Sequence, residues 1–417
     1  MCEKVDQLAI DYPVCRGEAG VEEKFSLPFA SWVRAEKPAA MLDLLGLLAR
    51  PGLISFAHVL PAAELFPAEA FGRASVAILA GDPGELQYRL PSAPLKSRVV
   101  ELMALRGVKC TEEQIFLTAG AQHAMSMLAR LLLDVGSSFV VDRTVYDGIL
   151  VVTQPLEPRL ATVPCRPRDG MDVEALASLL AAGERPRFIY VIPDGHNPMG
   201  ASLPMAARLR LVELSRTYGV SIIEDDPYGL LGFGGGYEPP LRALDAERVL
   251  YVGSLSKILA PALRLGWIVA PKSLIPRLST SRQASDMNVA SFTQHAIARL
   301  LAEMDVPAHL ELLRGEYELR METMMAALAE HFPAEAVYHR PRGGMFTWVE
   351  LPGHVDTSLL LREAVEEGVS FIPGVAFAVE PDARTRSSLR LSFSGVRPER
   401  IAEGMEKLGR VVRRACG

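Results

Sequence analysis

Between Gln114 and Val269 the chain alternates short apolar runs with helical segments, and most of the runs end in polar residues. The runs fall at 115–118, 138–141, 188–192, 220–223, 249–252 and 267–269. A four- or five-residue apolar run bounded by turn signals fits a strand buried on both faces. Strands of that kind alternating with helices predict βαβ units and a parallel sheet. Asn197, Asp225 and Lys257 follow the ends of three of these runs and are separated by 28 and 32 residues, one βα unit each. Open α/β sheets gather ligands at the carboxyl ends of their strands. The expected fold class is therefore α/β, with a large domain built on a mostly parallel, doubly wound sheet. A long helical stretch over 271–331 leads into a smaller α+β domain, with strands near 345–351, 369–372 and 388–394 and helices near 356–367 and 398–413. The expected division is an N-terminal segment 1–65, a large domain 66–305 and a small domain 306–417.

The stretch from Tyr251 to Trp267 carries the most chemistry. A strand runs into Ser254 and Ser256, then Lys257, with Arg264 seven positions on. A lysine at a buried strand end loses part of its hydration, which lowers its pKa and makes the amine nucleophilic. Hydroxyls and a guanidinium beside it suit a phosphate dianion. The turn Thr118-Ala119-Gly120-Ala121-Gln122 opens a helix over 121–133, and its free N–H groups and positive dipole end also favour phosphate. An attacking lysine with a phosphate grip is what pyridoxal 5'-phosphate requires.

The segment Ser254-Leu255-Ser256-Lys257 through Arg264 and Gly266 resembles the S-x-S-K-x-x-A-P-x-x-R-x-G pattern of fold-type I pyridoxal-phosphate transferases. Among these it is similar to class I/II aminotransferases of the aromatic, aminoadipate and kynurenine branch. The resemblance covers roughly 50–400 and implies a role for each matching position. Tyr146 would stack on the pyridine ring. Asp225, aligned by its place three residues before Tyr228, would face the ring nitrogen, and Asn197 and Tyr228 would face the phenolic oxygen. Gly120, Ala121, Gln122, Ser254, Ser256 and Arg264 would complete the phosphate cup. Tyr88, in Leu86-Gln87-Tyr88, would reach the cofactor of a second subunit, so a homodimer with shared sites is implied. Arg390, in Leu389-Arg390-Leu391-Ser392-Phe393-Ser394, would grip the substrate α-carboxylate together with Asn197. His58 and Val59 stand where the family carries a glycine pair against the substrate, so they, with Glu64, are candidates for shaping the pocket. The implied activity is amino transfer between an L-α-amino acid and a 2-oxo acid, by alternating half-reactions with Lys257 as proton carrier and Asp225 and Tyr228 in support. Elimination, decarboxylation, cyclisation or oxidation on the same fold stays open, because the sequence does not fix which Cα bond is activated. Departures at His58-Val59, Arg89, Ala93, Met199 and Ser387 fit a specialised biosynthetic substrate.

Composition excludes other classes. The net charge of −6 argues against a general nucleic-acid or anionic-membrane binder. About 50 residues precede the matched motifs and show no recognition-helix pattern, so a DNA-binding regulator is not expected. There is no run of 18 uncharged apolar residues to cross a membrane. Five scattered cysteines without C-x-x-C fit a reducing, cytoplasmic setting with neither a disulfide framework nor a zinc motif, and no metal is expected.

Overall fold

The computed structural model describes residues 30–34 and 52–417. A helical stripe expected over 39–49 lies outside the described residues. Seven strands form the main sheet: β1 Ile115–Thr118, β2 Ser138–Asp142, β3 Arg159–Val163, β4 Phe188–Val191, β5 Ser221–Asp225, β6 Val249–Ser254 and β7 Gly266–Val269. Their order is β1-β7-β6-β5-β4-β2-β3. The pairings among β2, β3, β4, β5 and β6 are parallel, and β7 runs antiparallel to both β1 and β6. The apolar runs are strands because both faces of the sheet are covered. Alternate residues serve two separate cores. Phe139, Val141, Phe188, Tyr190, Ile223, Leu250 and Val252 pack on one side. Val140, Ile189, Val191, Ile222 and Val249 pack on the other.

The edge strand β3 was not legible as a run, because its residues are only partly buried and alternate. Where β6 and β7 pair, Gly253 lies opposite Trp267. A Cβ on Gly253 would come within 2.3 Å of the Trp267 ring, so the indole can lie flat on the strand only if position 253 has no side chain.

Helix α1, Ala121–Leu132, follows β1 and puts its N-terminus at the strand ends. Helix α2, Val306–His331, leads out of the large sheet, with Asp305 capping it through a 3.0 Å bond from the Ala308 N–H. Beyond α2 lies an antiparallel sheet of β8 Val337–Tyr338, β9 Phe346–Glu350, β10 Ile372–Pro373 and β11 Ser388–Ser392, ordered β8-β9-β11-β10. Helix α3, Pro398–Cys416, packs along α2 and closes this region. Chain from before the large sheet joins in, since Ile54–Ser55 pairs with Val369–Ser370.

Candidate active site

A cavity of about 300 Å³ opens at the carboxyl ends of β1, β4, β5 and β6. Its wall includes Val59, Ala121, Gln122, Tyr146, Asn197, Asp225, Tyr228, Ser254, Ser256, Lys257 and Arg264. The fold has brought together positions that lie up to 205 residues apart, from Val59 to Arg264. Ile192, Met125, Pro227 and Pro261 complete the wall and were not singled out from the sequence, having no polar chemistry to mark them.

Lys257 is partly buried and donates from Nζ to the Val59 carbonyl at 2.8 Å. Burial, with the nearby charges of Arg390 and Arg264, pushes its amine down to about 8. Far more of the amine is therefore neutral near neutrality than in an ordinary lysine, which favours a nucleophile or proton acceptor.

The three consecutive acids ending β5 have separate fates. Glu224 accepts the backbone N–H groups of Leu241 and Arg242 at 2.7 and 2.8 Å. Asp226 accepts from Arg106 and, at 2.9 Å, from the Tyr251 hydroxyl. Strand alternation turns Asp225 the other way, into the cavity wall. It is 2 % exposed, and its Oδ2 accepts from Tyr190 at 2.7 Å. Its Oδ1 is buried without a partner among the described residues. Burial pushes this carboxyl up to about 7, opposed by the Tyr190 bond and reinforced by Asp226. A buried carboxylate with one free oxygen and no cation calls for a positively charged N–H from a ligand.

Arg390 presents the opposite case. It is 3 % exposed and has no ion-pair partner among the described residues. Nη1 donates to Asn197 Oδ1 at 2.8 Å and Nη2 to the Ala57 carbonyl at 2.6 Å. The guanidinium lies between the Phe346 and Phe377 rings, 4.6 and 4.7 Å from their centroids. Burial pushes it down to about 10. A planar cation held between aromatic faces and lacking an anion is built to receive a carboxylate. Its register explains the placement, since β11 sets Arg390 opposite both Trp348 and Ile372.

Asn197 is held from behind. His196 Nδ1 accepts the Met199 N–H at 3.4 Å, which leaves Nε2 to donate to Asp142 at 3.2 Å. With Cys165, these two form a buried Asp142–Cys165–His196 cluster whose ligand atoms lie within 4.8 Å of one another. No metal-type spacing in the sequence marked this group. Both ring nitrogens of His196 are engaged by protein, so the cluster works as a brace for the Asn197 turn.

At the head of α1, Gly120 has φ +88°, and a Cβ there would sit 2.8 Å from Arg264 Nη2. The positive φ calls for glycine, and a methyl here would push the Arg264 guanidinium from its place. Arg264 is exposed and donates from Nη2 to the Ala119 carbonyl at 3.1 Å. The hydroxyls of Ser254 and Ser256 lie 3.0 Å apart. The first-turn N–H groups of α1 have no intrahelical acceptor. Gln122 Oε1 accepts from Tyr146 at 3.3 Å, fixing the aromatic at the cavity edge. Tyr228 packs edge-on to Phe346 at 5.6 Å.

Gly120 and Arg390 stand just behind wall residues, next to Ala121 and bonded to Asn197, whereas His58, Glu64 and Tyr88 are not part of the wall. His58 is exposed and bonded to Ser55 Oγ at 2.9 Å, because in the extended chain it faces opposite to Val59. Glu64 pairs with Arg320 at 2.8 Å and is not part of the wall. Tyr88 is 86 % exposed, on a segment tied down by Asn288 Nδ2 to the Arg89 carbonyl at 2.7 Å.

An amine of lowered pKa, an anion cradle with no room for a side chain at Gly120, and an unpaired buried carboxylate together fit pyridoxal phosphate in donor set and polarity. The fold and cavity define a fold-type I pyridoxal-phosphate enzyme. The family model for aminotransferase class I and II matches residues 81–408, and the chain belongs to that family. It is 37% identical over 379 residues to a 2-aminoadipate transaminase of Thermus thermophilus, covering 89% of this chain and 93% of that one. It is 32% identical to aromatic-amino-acid aminotransferase 1 of Thermococcus litoralis, covering 99% and 97%. The crystal structure of an α-aminoadipate aminotransferase from Thermus thermophilus, complexed with N-(5'-phosphopyridoxyl)-L-leucine, matches with a TM-score of 0.85 at 35% identity, covering 93% of this chain and 97% of that one. The protein is a pyridoxal-phosphate-dependent aminotransferase. No helix among the described residues is long and apolar enough to cross a membrane.

Proposed function

We propose that this site transfers the amino group of an L-α-amino acid to a 2-oxo acid with the following division of labour. Lys257 holds the cofactor through Nζ. Gly120, Ala121, Gln122, Ser254, Ser256 and Arg264 hold its phosphate, and Tyr146 covers its ring. Asp225 faces the ring nitrogen, and Asn197 and Tyr228 face the phenolic oxygen. Bound there, pyridoxal phosphate supplies an electron sink for the Cα carbanion and a carrier for the amino group. Arg390, with Asn197 beside it, binds the α-carboxylate and fixes the orientation of Cα. Lys257 Nζ, once free, takes the Cα proton and returns it as general base and acid. Tyr190 keeps Asp225 in place, and the apolar side chains of Val59, Ile192 and Pro227 line part of the wall beside the reacting atoms.

The observation that carries this reading is the pairing, in one cavity, of a carboxylate lacking a cation with an amine of lowered pKa. The test is a visible absorption spectrum of the purified protein and of Lys257→Ala, before and after a panel of amino acids. The panel begins with 2-aminoadipate and the aromatic amino acids, the substrates named for the relatives. A band that bleaches with one amino acid while the matching 2-oxo acid accumulates supports the reading. Consumption of the amino acid with another product and no 2-oxo acid would refute it.

The proposal extends to assembly. Leu86, Tyr88, Leu90 and Met287 are strongly exposed, and a second copy of the chain covering them would bring Tyr88 to the partner's cofactor. Sedimentation of the purified enzyme as a monomer would remove that part. A division into 1–65, 66–305 and 306–417 accompanies this reading, supported by α2 starting at Val306 and by the separate antiparallel sheet. A biosynthetic role in the cytoplasm, on a specialised amino acid, is proposed on the departures at His58-Val59 and Met199.

A further inference from the structure

The turn that opens α1 is held by three side chains acting on successive residues. Thr118 Oγ1 donates to the Gly120 carbonyl at 3.0 Å. Arg264 Nη2 donates to the Ala119 carbonyl at 3.1 Å. On the other side of the same residue, the Ala119 N–H donates to His123 Nδ1 at 3.1 Å. His123 is the third residue of α1, and Gly120 before the helix has no side chain with which to cap it. The histidine thus reaches back from the first turn to the residue before the N-cap, much as the third-position side chain of a capping box reaches back to the N-cap itself.

This bond requires Nδ1 to be unprotonated, since a backbone N–H can only donate. The other ring nitrogen, Nε2, lies 3.3 Å from Ser285 Oγ and is free to carry the hydrogen. The charged groups facing the ring are Asp286, 3.5 Å from Nδ1, and more distantly Arg282 and Arg130. Asp286 is itself shared with Arg282 Nε at 3.5 Å. Burial of the ring, the largest influence, together with the two arginines outweighs Asp286, so the imidazole pKa lies below its ordinary value.

We propose that neutral His123 is a positioning residue for the cofactor phosphate. Its Nδ1 holds the Ala119 peptide so that Arg264 and the first-turn N–H groups of α1 converge on one point, and protonation of the ring releases the turn and weakens cofactor retention. The inference rests on the assignment of this turn to the phosphate. His123 makes no contact with the substrate and takes no part in proton transfer.

The test compares wild type, His123→Ala, His123→Asn and Arg264→Ala. Each is stripped of cofactor and titrated with pyridoxal phosphate from about pH 4.5 to about pH 8, a range that extends below the ordinary histidine value because this ring's pKa is lowered. Binding is followed by quenching of protein fluorescence, and melting temperatures show that each variant is folded. Asparagine places an acceptor oxygen where Nδ1 stood but does not titrate. At about pH 8, His123→Ala is expected to bind about fivefold more weakly, the effect of one hydrogen bond, and His123→Asn within about twofold of wild type. Toward acid, wild type should lose affinity more steeply than His123→Asn, because both share the phosphate's own titration and only one has the imidazole. Equal affinity of His123→Ala and wild type at about pH 8 would overturn the proposal. So would a His123→Asn profile that follows wild type throughout, and this comparison decides the matter if the alanine variant does not fold. If Arg264→Ala also binds normally, the phosphate assignment itself fails. If Arg264→Ala alone is weakened, only the role of His123 fails.

Discussion

Asp225→Asn should stabilise the ligand-free enzyme, and by an amount that depends on pH. The carboxyl sits 2 % exposed and, among the described residues, has one donor, Tyr190 at 2.7 Å, and one unpartnered oxygen. Its pKa is pushed up from 3.8 to about 7 in the folded chain. A raised carboxyl pKa means that ionisation is harder folded than unfolded, so ionising the group destabilises the fold. Above about pH 7 both states are ionised and the folded one bears the whole penalty, at most about 4 kcal/mol. As pH falls through that value toward 3.8 the penalty fades, because the folded state takes up its proton first. Asparagine keeps the acceptor for Tyr190 and removes the charge. Urea unfolding of the ligand-free proteins should therefore show the variant ahead at about pH 8 and the gap narrowing toward about pH 5. Added pyridoxal phosphate should reverse the order, since only the aspartate can pair with a protonated ring nitrogen. If the two ligand-free proteins differ by the same amount at every pH, the carboxylate carries no such penalty and its readiness for a cationic ligand is refuted.

Other expectations follow from the same geometry. Arg390→Lys keeps the charge but loses the fork to Asn197 and Ala57, so kcat/KM for α-amino acids should fall about 100-fold, or about 3 kcal/mol, in steady-state assays, with the cofactor spectrum unchanged. Gly120→Ala places a methyl 2.8 Å from Arg264 Nη2 at φ +88°, and equilibrium titration should show cofactor affinity reduced at least tenfold. His196→Ala removes the one side-chain donor to buried Asp142 among the described residues, and the melting temperature should fall by an amount corresponding to about 3 kcal/mol. Glu184 is held down to about 2 by Arg159 and Ser138. Its contribution to stability is full above its ordinary value of 4.5 and is lost as pH falls through about 2, so Glu184→Gln should flatten the acid limb of a stability profile in that window.

The sheet and most of the cavity wall were legible because of a local rule. A strand buried on both faces is an apolar run, and its carboxyl end is where the run stops. Asn197, Asp225 and Lys257 could be placed by counting. The choice of Asp225 among three acids came from motif register, and the structure supplies the cause, since strand alternation gives each neighbour another partner. What escaped depends on residues distant in the chain. Tyr190 reads as one more apolar position in β4, yet it meets Asp225 across 35 residues. Phe377 faces Arg390 only because separate segments of the small sheet region fold together. His123 looked like any helical residue until the turn before it had a shape. His58 falls outside the wall because the family resemblance concerns the backbone at that point, while the side chain follows the alternation of the extended chain.

The hairpin from β6 to β7 closes the sheet and also carries Lys257 and Arg264 in its loop, pinned by the Leu255 N–H to the Leu265 carbonyl at 3.0 Å. β1 hydrogen-bonds only to β7 in this sheet, although 147 residues separate Thr118 from Gly266. During synthesis, β1 and the helix head that follows it must therefore wait with an open edge until the hairpin emerges. The hairpin that admits β1 to the sheet carries the lysine and the arginine in its loop. An incompletely folded chain thus lacks the lysine and the arginine that the proposed function assigns to the cofactor, and on that assignment the retention of cofactor reports that the sheet is complete.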